Sequence, residues 1–321
     1  MTSSINMLQH MISRLRFSGK LLHQNIIRCS STATPAPKIR QMHAKESPAL
    51  AISQTADGAR LRNADLQVIH GLDKDGYFLG VNDQGEIVGT IGAIRLTDEL
   101  GFIGFYHVTE KFQNKGFEEK LWEKAIEHLG DRNIGIEVAV DDVQKCQDLG
   151  FKEEWKTGRF QGVGVNLPPE ILVNKAIRPL QGMAMGKVVD YDTSTSGIHK
   201  VPLVLGWCKA PSTGYAALED DERVMGYGVI HPLHNPITHR IAPLLTENVS
   251  IAQMLLLTLL SSIPNQKVFI DAPLRNPSFT RILTMDLKME QIGETVRMYT
   301  KGNPGFPVQK AFGILSPDAG C

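Results

Sequence analysis

The sequence predicts an α+β protein with a mixed α/β sheet, arranged as two halves that follow one plan. Two hairpins carry this reading. Gly76–Val81 and Ile87–Ile94 are apolar runs flanking a turn at Asn82–Gly85, and Gly214–Leu218 and Val224–Ile230 flank the acidic turn Glu219–Glu222 in nearly the same pattern. After each hairpin the chain repeats one order of elements: strand, amphipathic helix, strand, short helix, strand.

In the first half these elements are expected at Phe102–Val108, Gly116–Leu129, Ile134–Val140, Asp142–Leu149 and Lys152–Val165. In the second they are expected at Arg240–Leu245, Val249–Ser262, Lys267–Asp271, Asn276–Met285 and Val296–Thr300. The prolines of Asn166-Leu167-Pro168-Pro169 mark the joint as a stiff linker. The expected division is therefore 1–45 as a targeting segment and disordered linker, 46–166 as a first domain and 167–321 as a second.

A chain of 321 residues, 42% of them hydrophobic, can bury two cores. Lys plus Arg and Asp plus Glu both total 34, so no charge excess favours nucleic acid or an anionic membrane as partner. The richest apolar run, Met254–Leu260, is far short of the roughly 20 residues that cross a bilayer. Cys29, Cys146, Cys208 and Cys321 form no close pair, which argues against a disulfide framework or a thiolate zinc site. His231, His234 and His239 lack Cys or Glu partners nearby, and no metal is expected.

Before Glu46 there is no acidic residue, while Arg14, Arg16, Lys20, Arg28, Lys38 and Arg40 alternate with Ser and Thr. Met7, Leu8, Met11, Ile12 and Leu15 recur at helical spacing, the chemistry of a mitochondrial import signal cleaved near Cys29–Thr34. A mitochondrial matrix location is expected, with a cytoplasmic one as the alternative.

The strand Gly101–Val108 runs through Thr109-Glu110-Lys111-Phe112-Gln113-Asn114-Lys115-Gly116-Phe117 into a helix. A strand, a short loop and a helix N-terminus aim several unpaired N–H groups at one point, as a pyrophosphate requires. Lys115 adds charge there and Gly116 permits close backbone approach. Phe117, Leu121, Ala125 and Leu129 form the helix's apolar stripe, and Gly130 stops it.

This segment resembles the signature of the GNAT superfamily of N-acetyltransferases, in which Gln or Arg, two residues, Gly, one residue, then Gly or Ala cradles the CoA pyrophosphate. Gln113 and Gly116 match, whereas Asn114 and Glu118 depart from it. Leu149-Gly150-Phe151, Arg297-Met298-Tyr299 and Phe312-Gly313-Ile314 are similar to the branch that joins a GNAT domain to a second GNAT-like domain. The resemblance implies transfer of an acetyl group from acetyl-CoA to a small-molecule or protein amine by direct attack on the thioester. It also implies a cofactor-binding set of Val108, Gln113, Asn114, Lys115, Gly116 and Phe117, with the oxyanion met by a backbone N–H near Val108.

Glu118 is the discordant residue. Like charges at about 4 Å in an effective dielectric near 20 repel by on the order of 4 kcal/mol, so Glu118 must turn outward or weaken CoA binding. The family's thiolate-protonating tyrosine is replaced by Cys146, whose thiol can still donate a proton. Candidate bases are Glu137, His107 and Tyr106; simple alternation alone would put Glu137 on a solvent face. Asp271 and Asn276, at the end of a second-half strand, are candidates to grip substrate in an interdomain cleft. The competing reading is a catalytically degenerate acyl-CoA-binding or interaction protein.

Overall fold

A computed structural model describes residues 37–53, 60–167, 176–209, 211–220 and 222–320. The expected import signal and the Pro168-Pro169 pair lie outside the described residues. The segment assigned to a linker through residue 45 is instead ordered from Pro37: β1 (Lys38–Gln41) pairs with the first hairpin, and a 3-10 stretch, Ala44–Ser53, buries Leu50 and Ala51. Met42 behind it is 1% exposed, enough apolar burial to hold the segment in place.

The first half continues through α1 (Asn63–His70), β2 (Tyr77–Val81), β3 (Ile87–Arg95), β4 (Leu100–Val108), α2 (Phe117–Leu129), β5 (Asn133–Ala139), α3 (Val143–Asp148) and β6 (Lys152–Val163). The hairpin turn forms because the Asn82 Oδ1 accepts the N–H groups of Gln84 (3.1 Å) and Glu86 (2.9 Å) while Gly85 takes φ 83°. Phe117, Leu121, Ala125 and Leu129 are buried as the stripe requires.

The second half runs β7 (Ile177–Pro179), α4 (Met185–Ser196), α5 (Val201–Trp207), β8 (Thr213–Leu218), β9 (Val224–Pro232), β10 (Thr238–Thr246), α6 (Val249–Ser261), β11 (Lys267–Pro273), α7 (Pro277–Arg281), β12 (Glu290–Tyr299) and β13 (Ala311–Gly313). None of the described helices is long and apolar enough to cross a membrane.

One sheet holds both halves, in the order β1-β2-β3-β4-β5-β12-β6-β11-β10-β9-β8-β7, with β13 beside β10. The last long strand of each half has crossed into the other. β12 pairs antiparallel with β5, from Thr295↔Ala139 to Tyr299↔Gly135, and β6 pairs antiparallel with β11, from Lys267↔Val163 to Pro273↔Thr157. β6 and β12 then pair with each other at the centre. Val296, Met298 and Phe160 are at most 1% exposed, so the exchange is driven by the same apolar burial that closes each core.

Candidate functional site

Where β4 ends, Thr109 locks the chain by donating both its N–H (2.9 Å) and its Oγ1 (3.1 Å) to the Val88 carbonyl. One 3-10 turn, Glu110–Phe112, follows, and the Gln113 side chain donates back to the Val108 carbonyl at 3.1 Å. Asn114 (φ 59°) and Gly116 (φ 85°) then adopt left-handed conformations that turn the chain into α2. Among the described residues, no partner occupies the N–H groups of Lys115 through Glu119. Five unpaired amides at a helix N-terminus form an anion-binding concavity. Phe117, buried against the edge of Phe112 at 5.9 Å, anchors this loop, and exposed Lys115 lies 5.1 Å over the Phe112 ring.

Glu118 does not turn outward. Its Oε1 accepts the Asn114 N–H at 2.8 Å, so a carboxylate of the chain itself takes one amide at the rim of the concavity.

Beside the loop the sheet opens. β4 and β5 pair in parallel only from Leu100↔Asn133 to Ile103↔Ile136. Beyond that point β4 is shifted against β3 between Thr90 and Gly92, and Phe105 has φ 51°. Thr90 Oγ1 donates to the Phe105 carbonyl at 2.7 Å and pins this bulge. Tyr106, His107 and Val108 therefore have no β5 partner, and a flat, hydrogen-bonding ligand can lie along the freed edge.

The second half begins an equivalent opening and then fills it. β10 and β11 pair from Thr238↔Lys267 to Ile241↔Ile270 and separate. β13 enters the gap, pairing Leu244↔Gly313 and Leu245↔Ala311 with β10, while the Ile314 N–H donates to the Asp271 carbonyl at 2.9 Å. The following helix is capped from within, Asn248 Oδ1 accepting the Ile251 N–H at 3.0 Å. Glu247 is held by Lys310 at 2.7 Å.

Val108, Gln113, Asn114, Lys115, Gly116 and Phe117 thus come together at the open end of the first half, with Tyr106 next to them, its ring 5.7 Å from Trp122. Burial, then the Glu118 carboxylate, pushes the Tyr106 hydroxyl well above its ordinary range, although the residue is 39% exposed overall. His107 is half-buried and its imidazole is shifted down by that burial, so it is neutral at pH 7.

The remaining candidates stand elsewhere. The Glu137 side chain is buried rather than on a solvent face, held by the adjoining β12: Oε2 accepts from Arg297 Nε at 2.5 Å and Oε1 from Thr295 Oγ1 at 2.6 Å. Cys146 lies in the apolar core with Val108, Ile136 and Met298, and burial pushes its thiol up to about 11.

Asp271 does reach the junction of the halves, gripped by Arg159 Nε at 2.7 Å and an Arg240 terminal nitrogen at 3.1 Å. Asn276 neither caps its helix through the side chain nor faces a cleft. Its Nδ2 donates to the carbonyls of Ala311 (2.9 Å) and Val308 (3.2 Å), fastening β13. Among the described residues no three His, Cys, Asp or Glu converge as a metal site; His231 packs on Trp207, with ring centroids 4.6 Å apart.

A recess of about 560 Å³ opens between the halves, with Leu100, Asn133, Ser196, Tyr299, Phe306 and Gly320 in its wall. It lies at the end of β4 opposite the loop. Of the second half's polar residues at the junction, Arg240 and Asp318 sit in no motif, and the Arg297-Met298-Tyr299 likeness did not reveal that Arg297 pairs with Glu137 across the exchange.

Comparison with known proteins accords with this geometry. Residues 39–149 match the family described as "Acetyltransferase (GNAT) family" and residues 188–311 the one described as "Acetyltransferase (GNAT) domain". Holothin acyltransferase of Pseudoalteromonas sp. (strain SANK 73390) is 24% identical over 258 residues, 80% of this chain and 85% of that protein.

A crystal structure from Pyrococcus horikoshii superimposes with a TM-score of 0.71 at 15% identity, covering 92% of this chain and 99% of that one. A tandem GNAT protein from the clavulanic acid biosynthesis pathway gives 0.58 at 12% identity, covering 82% and 98%.

Proposed function

Since this chain belongs to the GNAT acetyltransferase superfamily and is an acyltransferase, we propose that its first half carries out N-acetylation, transferring an acetyl group from acetyl-CoA to an amine. One observation carries this reading: the β4/β5 opening is free and ends on five unpaired amides, whereas the β10/β11 opening is filled. The amides from Lys115 to Glu119 suit the pyrophosphate, and the freed edge of β4 near Val108 offers an N–H to the oxyanion formed by direct attack. The amine is expected near the junction of the halves, at the freed end of β4 rather than in the recess at its other end.

Cys146 is a poor donor for the departing thiolate. With its thiol pushed up to about 11, it is a weaker acid than an ordinary thiol of pKa about 8.5, and transfer from it is uphill by about 3 kcal/mol. The proton on the attacking nitrogen is the nearer source. Glu118 supports a second reading, because a carboxylate at the pyrophosphate rim weakens CoA affinity and suits a protein that binds acyl-CoA without turnover.

The full chain is tested first by thermal shift with CoA and acetyl-CoA. It is then incubated with acetyl-CoA and a panel of alkylamines, amino acids and lysine peptides, and free CoA is read with a thiol reagent. A raised melting temperature with CoA release for one amine class supports acetylation. A shift without release favours the binding reading, and no shift removes both. We also place the protein in mitochondria, on the strength of the basic, acid-free residues before Glu46; a fluorescent fusion of residues 1–45 that stayed in the cytosol would remove this placement.

A further inference from the structure

After β13 the chain runs on beneath the first half's sheet. Ser316 is 1% exposed and organises a turn, its Oγ accepting the Asp318 N–H at 3.2 Å and its carbonyl the Ala319 N–H at 3.3 Å. Ala319 is fully buried, and the Gly320 carbonyl accepts from Arg297 at 3.3 Å. Gly104 is bare because the tail crosses it: a Cβ there would stand 1.9 Å from the Asp318 carbonyl oxygen. This course sets Asp318 at the vertex of the β4/β5 opening. The last β4/β5 pair is Ile103↔Ile136, and two residues further on the Phe105 N–H donates to Asp318 Oδ1 at 3.2 Å.

We propose that Asp318, brought in by the C-terminal tail, is the base that accepts a proton from the acceptor's ammonium group. The assignment rests on the acetyl-transfer reading above and adds to it the residue that receives the amine. Its position suits the task. Phe105 lies three residues from Val108, about 10 Å along an extended strand, which spans a thioester carbon, an attacking nitrogen about 3 Å away and a hydrogen bond beyond it.

Two of the three rivals are less free. Both oxygens of Glu137 are engaged by Arg297 and Thr295, and the Tyr106 hydroxyl is held far above neutral pH. Burial raises the Asp318 carboxyl, opposed by the Phe105 N–H, Arg240 and Arg159, with Asp271 raising it further. It therefore accepts a proton more readily than an ordinary aspartate while two guanidinium groups nearby limit the rise.

In the reaction the ammonium nitrogen gives one proton to Asp318, and its lone pair forms the C–N bond. The C–S bond breaks with its electrons on sulfur. The sulfur takes the second nitrogen proton as a thiol, and Asp318 returns its proton to solvent.

The test compares Asp318→Asn, which keeps an oxygen for the Phe105 N–H, with the wild-type full chain. Acetyl-CoA is offered with the best alkylamine of the panel, protonated at pH 7, and with hydroxylamine, which is neutral there and needs no base. The assignment predicts a loss of 100-fold or more with the alkylamine, with hydroxylamine turnover, melting temperature and the acetyl-CoA-induced shift unchanged.

Equal losses with both nucleophiles, or a lowered melting temperature, would show a structural role and overturn it; unchanged rates with both would also overturn it. If the wild type acetylates neither nucleophile while acetyl-CoA still raises its melting temperature, the acetyl-transfer reading itself has failed and takes this assignment with it.

Discussion

The β4/β5 and β10/β11 openings begin alike and end differently. In each, a parallel pair holds for four residues and then separates. The first is left with a loop of left-handed residues and unpaired amides; the second receives β13, and its helix is capped by Asn248. A strand inserted as Leu244↔Gly313 satisfies the backbone groups that an extended ligand would otherwise meet. One framework thus yields a binding edge in one half and a closed sheet in the other. The segment that closes the second opening continues to the vertex of the first, so the two states are built by one stretch of chain.

The largest expected effect comes from breaking the exchange that ties the openings together. Arg297→Ala leaves Glu137 buried without its cation, and loss of one partner from such a pair costs about 3–5 kcal/mol. Denaturant unfolding should show one transition at much lower midpoint, because β12 belongs to the first half's sheet while its chain neighbours belong to the second. Two separate transitions, with only one moved, would mean that the halves fold independently.

A smaller effect sharpens the first opening alone. Glu118→Gln removes the negative charge beside the pyrophosphate site and leaves an oxygen for the Asn114 N–H. CoA should bind about threefold tighter or better, ~0.7 kcal/mol by titration calorimetry, with the gain shrinking as salt is added. Weaker binding would instead mean that the charge on Glu118 holds the loop in its receptive shape.

Much of this comparison was legible in the sequence. The hairpins at Asn82–Gly85 and Glu219–Glu222 and the stripe Phe117–Leu129 are local patterns, and local patterns survive in the fold. The exchange of β6 and β12 was not legible, because an alternating strand does not record which neighbour it will pair with. The same limit hid the partner of Glu137, which lies 160 residues away, and hid Asp318, which sits on a tail without periodicity. Asn276, a candidate substrate contact in the sequence, instead spends its amide on the carbonyls of Val308 and Ala311 beside β13.

The central claim is that acyl-CoA is bound once, in the first opening. Titration calorimetry of the full chain with CoA, beside Gly116→Val, tests it most directly. Gly116 holds φ 85° at the start of α2, a conformation that costs an ordinary residue about 1–2 kcal/mol, and a Cβ there would stand 3.4 Å from Pro37. The account predicts one CoA per chain for the wild type and at least tenfold weaker binding for the variant, about 1.4 kcal/mol. Two CoA molecules per chain, or one whose affinity is indifferent to Gly116→Val, would contradict it.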